Sequence, residues 1–129
     1  MRVVAVLVVA LLVSACNDEP SADPELFCSR LGRLTENDPF LAFGDTATPT
    51  EIAEAFEALV ERADELVEVA PEEVRPAAEA YADATIGMDD LMAEAGYDGA
   101  RLDARAYRDL QEAYTEAADR LLNHLDAAC

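Results

Sequence analysis

Between Thr48 and Ala70 the chain sets apolar residues at alternating spacings of four and three: Ile52, Phe56, Leu59, Ala63, Leu66 and Ala70. An α-helix turns once in about 3.6 residues, so these side chains form one stripe along a helix. Glu54, Glu57, Glu61, Glu65 and Glu68 fall off the stripe and are expected in solvent. Thr48-Pro49-Thr50-Glu51 precedes it as a capping box with proline at the first helical position. A helix with one apolar side gains most of its stability from packing that side, so this stripe commits the chain to helical partners.

Three further segments carry matching patterns. Glu25 to Thr35 places Phe27, Leu31 and Leu34 at helical spacing, with Cys28 beside them. Pro71 restarts the chain toward a third helix ending near Ala95, with the stripe Val74, Ala78, Tyr81, Thr85, Met88, Met92 and Ala95. Because Pro76 is tolerated only near a helix start, residues 71–75 are expected to form a separate turn. Gly96 is a natural C-cap, with Tyr97 folded back on the last turn. A fourth helix from Asp103 or Ala104 to Ala127 turns Ala106, Leu110, Tyr114, Ala117, Leu121, Leu125 and Ala128 inward. Asn37 to Ala47 reads as a loop whose Phe40, Leu41 and Phe43 cover an open end of the core or, alternatively, form a binding surface. No run alternates with period two, which predicts an all-α, four-helix bundle-like domain.

The N-terminus has a different character. Arg2 is followed by an apolar run from Val3 to Val13 and then Ser14-Ala15-Cys16. A short positive start, an apolar stretch and small residues before a cysteine match a secretory signal peptide with a lipobox. The run falls short of the roughly 20 residues that a membrane-spanning helix needs, and Asn17, Asp18 and Glu19 end it. The predicted organisation is a signal peptide at residues 1–15, a lipidated Cys16 and tether at 16–24, and the bundle at 25–129. Diacylation would supply two chains, each methylene adding about 0.8 kcal/mol of membrane affinity. Cleavage after Ala15 by a type I peptidase is the alternative, and would leave Cys16 a free thiol. The tether Asn17 to Pro24 would reach about 15 Å, holding the domain on the extracytoplasmic face of the cell membrane.

The chain has three cysteines. With Cys16 on lipid, Cys28 and Cys129 remain, and secreted domains usually pair an even set. A bridge between them would close a loop of about 100 residues. Two buried free thiols are the alternative; a zinc site matches no ligand spacing here. The formal net charge is −19 over 129 residues, and every basic residue is arginine. Losing the leader removes only Arg2 and moves the charge to −20. Phosphate contacts need a basic stripe, so nucleic acid is not an expected partner. An anionic membrane surface repels such a domain, which leaves attachment to the lipid.

A cysteine early in the mature chain, Gly96-Tyr97-Asp98 before the final helix, and a closing cysteine resemble a group of small secreted or lipid-anchored actinobacterial proteins. The resemblance covers residues 26–129 loosely. It implies a helical bundle and the Cys28–Cys129 pairing, and no assigned activity. The chain departs from the pattern in lacking an aromatic residue shortly before Cys129, where His124-Leu125-Asp126-Ala127-Ala128 stands.

Catalytic inventory is sparse. Beyond the leader the serines are Ser21 and Ser29, and His124 is the one histidine, without an evident nucleophile. A di-iron site needs two Glu-x-x-His motifs, but Leu121 occupies the position three before His124. A haem between His124 and Met88 or Met92 is formally possible, although the methionines read first as core. His124 is expected near a helix end, where its imidazolium favours the dipole. Asp89-Asp90 with Glu94, or Asp98 with Asp103, are candidate cation ligands, yet no EF-hand loop is present. Gly87 in the third helix costs about 1 kcal/mol relative to alanine; it is read as a close helix approach, with a groove beside Phe40 and Phe43 as the alternative. The expectation is a non-enzymatic interaction or structural module without catalytic residues, metal or cofactor, acting through an unknown protein partner. The alternative is a lipoprotein binding a small ligand or a divalent cation.

Overall fold

The computed structural model describes residues 21–36 and 46–129. The leader, Cys16 and the Phe40, Leu41 and Phe43 cluster lie outside these described residues. Four α-helices follow in order, α1 Pro24–Glu36, α2 Pro49–Val69, α3 Arg75–Glu94 and α4 Ala104–Ala128, with a 3-10 turn at Gly99–Arg101. No strand occurs among the described residues. α3 packs between α2 and α4, and α1 lies across from α3, touching α2 and α4. This is the all-helical bundle that the apolar periods require, with Cys28 and Cys129 joined by a disulfide.

Local chemistry sets the helix limits. Thr48 Oγ1 accepts from the Glu51 amide at 3.3 Å, and Glu51 Oε2 accepts from the Thr48 amide at 2.7 Å, so the capping box is complete. Those hydrogen bonds favour the charged carboxylate and lower the Glu51 pKa. Asp23 belongs to the domain rather than to the tether: its Oδ1 accepts from the Leu26 amide at 3.0 Å, and its own amide donates to the Val69 carbonyl at 3.0 Å. Pro24 is therefore the first residue of α1, not the end of the tether. Pro71 opens a turn whose carbonyl accepts from the Val74 and Arg75 amides, and α3 begins only at Arg75.

α3 ends in a Schellman arrangement. The Tyr97 amide donates to the Met92 carbonyl at 2.7 Å and the Gly96 amide to Ala93 at 3.0 Å. Gly96 has φ +65, which a residue without Cβ adopts freely. Tyr97 also lies in the left-handed region, at φ +56. Its hydroxyl donates to Asp89 Oδ1 at 2.8 Å and its ring tilts against Phe56 at 6.4 Å.

Two clusters make the core. The larger one joins Phe27 and Leu31 of α1 to Leu59, Ala63 and Leu66 of α2, Ala78 and Tyr81 of α3, and Ala117 and Leu121 of α4. The smaller one centres on Phe56, Met88 and Met92, with Ile52, Tyr97, Leu102, Tyr107 and Leu110 partly buried around it. The α3 stripe is buried as its spacing predicts. The α4 stripe is not buried throughout: Ala117 and Leu121 are buried, Ala106, Leu110, Tyr114 and Leu125 are half-buried, and Ala128 is exposed. The reason is geometric, since α4 packs fully on one neighbour, α3, while α1 is too short to cover its other flank.

Candidate functional site: the seam between α1 and α4

α1 meets α4 along a thin seam. At one end the Cys28–Cys129 bridge joins the helices with a Cα–Cα separation of 5.6 Å. Beside it the His124 ring stands edge-on to Phe27, with centroids 5.5 Å apart and planes at 77°. Phe27 is wholly buried and Leu31 nearly so, and Leu31 and Leu121 share the larger core cluster. On its other side α1 is tied to α2, where Arg30 Nη1 donates to the Glu65 carbonyl at 2.6 Å.

Farther along the seam a groove of about 260 Å³ opens between Leu34 and Thr35 of α1 and Ala118 and Leu122 of α4. Tyr81 and Tyr114 line it, their hydroxyls 3.0 Å apart and their rings tilted at 4.8 Å. Beneath them the buried Thr85 hydroxyl donates to the Tyr81 carbonyl at 2.7 Å, which satisfies a polar group in the core. The groove thus offers leucine walls over a phenol pair in which Tyr81 is buried and Tyr114 half-buried. Sequence periodicity placed both tyrosines on inward stripes but missed their pairing, because it does not give the register between α3 and α4.

The other candidates fall in separate places. A Cβ at Gly87 would lie 2.9 Å from Leu110 Cδ2, so Gly87 marks a close approach filled by α4 and no groove opens there. Met88 and Met92 sit in the smaller core cluster, whereas His124 packs on Phe27 of the larger one, so the haem pairing is not assembled. Three of the five candidate cation ligands have hydrogen-bond partners within the fold. Asp89 accepts from the Tyr97 hydroxyl, Asp98 from the Ala100 amide, and Asp103 from the Arg105 and Ala106 amides at the start of α4. Among the described residues no three His, Cys, Asp or Glu side chains group as a metal site. The Tyr97 phenol pKa is raised, first by the Asp89 hydrogen bond, then by burial and the charges of Asp89, Asp90 and Glu57.

The acids of α2 form a continuous solvated face, including Glu57, Glu61, Asp64 and Glu65, with Arg30 at its edge. No described helix is long and apolar enough to cross a membrane. Comparison with protein-family models, curated proteins and solved structures returns no match for this chain.

Proposed function

We propose that this chain is a lipid-anchored extracytoplasmic module that acts through contacts with a protein partner and turns over no substrate. The observation that carries the reading is the Cys28–Cys129 disulfide, a bond that persists in oxidising, extracytoplasmic compartments. The leader and Cys16 supply the anchor in this reading, and Asp23 enters the bundle at the end that carries the disulfide. That end then faces the membrane, and the acidic flanks project into the surrounding medium. Cys16→Ser should release the domain from the membrane fraction or stall it as an uncleaved precursor. Retention in that fraction with unchanged mass would overturn the anchor. Crosslinking on intact cells tests the partner, and repeated recovery of the uncrosslinked chain alone counts against it.

A second reading has its own observation, the groove over Tyr81 and Tyr114. Its size and leucine walls suit a small apolar ligand with one hydrogen-bonding group. Titration with a hydrophobic dye should quench tyrosine emission and raise the melting temperature if this reading holds.

A further inference from the structure

We infer that the final two turns of α4, residues 122–129, form a redox-released arm, held on the bundle by a disulfide that dithiols reduce in the folded protein. Leu121 is the last buried residue of α4. Beyond it His124 and Leu125 are half-buried and the other residues are exposed. The arm is held through three attachments: the bridge to Cys28, the edge contact of His124 with Phe27, and the packing of Leu125 on the larger core cluster. The last two rest on residues that are only half-buried, and we assign most of the hold to the covalent bond.

The two cysteines differ in exposure. Cys129 is exposed, while Cys28 is half-buried between its helix and the core. An incoming dithiol therefore meets Cys129 first. Its thiolate attacks Cys129 Sγ, the Sγ–Sγ bond breaks, and Cys28 leaves as a thiolate that takes up a proton. The second thiol of the reductant then displaces Cys129, which is protonated in turn. The protein gains two electrons and two protons, and the dithiol becomes a cyclic disulfide.

α1 stays in place after this step. Phe27 and Leu31 remain in the core, and α1 keeps the Asp23-to-Val69 and Arg30-to-Glu65 hydrogen bonds to α2. What moves is the α4 end, and its departure uncovers the face of Phe27 that His124 covers. A two-turn segment held by one half-buried leucine and one ring contact frays when its covalent clasp is cut.

Hydrogen exchange on the full-length protein in detergent, oxidised and after dithiothreitol, tests this. On reduction the amides of residues 122–129 should exchange close to the unprotected rate, while residues 77–92, although weakened with the fold as a whole, stay about tenfold or more better protected than the arm. Cys129→Ser should show the same pattern without reductant. Unchanged exchange in the arm overturns the proposal. So does equal protection of the arm and of residues 77–92 after reduction, which would mean that no arm is released apart from the rest of the fold. A bond that resists dithiothreitol until denaturant is added also overturns it.

Discussion

The two ends of the bundle solve the same packing problem by different means. At the disulfide end, four helices contribute large, well-defined side chains, and Phe27, Leu31, Leu66, Tyr81 and Leu121 are each at most 1% exposed. At the other end, the described residues bring three helices together around Phe56, Met88 and Met92, each still 2–6% exposed. There the order comes from hydrogen-bonded ends: the Thr48 capping box, the Schellman turn at Gly96, and the Asp98 and Asp103 caps. One end gains from burial and a cross-link, the other from turn chemistry around two adaptable thioethers. A short domain can thus spread its stability between the unfolded-state constraint of a bridge and many small local terms.

The sharpest test of this contrast is removal of the bridge. Cys28→Ser with Cys129→Ser should lower unfolding stability by about 4–5 kcal/mol, because the bond closes a loop of about 100 residues. Urea denaturation measures it, and a loss below about 1 kcal/mol would erase the distinction between the ends. Next in size, Leu66→Ala should cost about 3 kcal/mol, since Leu66 has no exposed surface and its truncation opens a cavity in the core. Met92→Leu at the opposite end should cost less than about 1.5 kcal/mol by the same measurement. Equal losses would show that the two cores are packed alike.

Gly87→Val falls between Leu66→Ala and the caps. The added methyls meet Leu110, whose nearest carbon would be 2.9 Å from the new Cβ, and a loss of about 2 kcal/mol is expected. The smallest effect is Thr48→Ala, about 1 kcal/mol for a lost N-cap. Its companion is a pH dependence. Glu51 has a lowered pKa in the fold, so its stabilisation is fully present above its unfolded pKa of about 4.3 and fades as pH falls through the folded value. Glu51→Gln should flatten the stability curve on the acid side of the ordinary glutamate pKa. A slope equal to that of the parent protein would remove the charged capping box from the account of that end.

How much of this was legible depends on the range of the interaction. The stripes of α2 and α3, the capping box and the Gly96 turn are local, and residues three or four apart face each other however the helices later pack. The Cys28–Cys129 pairing followed from counting once Cys16 was assigned elsewhere. The inward stripe of α4 was legible only in its middle, at Ala117 and Leu121, because periodicity gives a direction and no depth. The haem pairing was not assembled for a related reason: His124 packs on Phe27 while Met88 lies in the smaller cluster, and Asp98 and Asp103, neighbours in sequence, serve as caps.

By itself, the sequence determined that the chain is helical, where the helices start and stop, and which sides of α2 and α3 are apolar. Those properties rest on backbone hydrogen bonds and side-chain spacing within a few turns. Only the tertiary structure decided that Tyr81 meets Tyr114, that His124 covers Phe27, and that the seam between α1 and α4 is thin. These depend on the relative register and lengths of helices far apart in the chain. No local pattern encodes them, because each helix packs only as deeply as its neighbours reach.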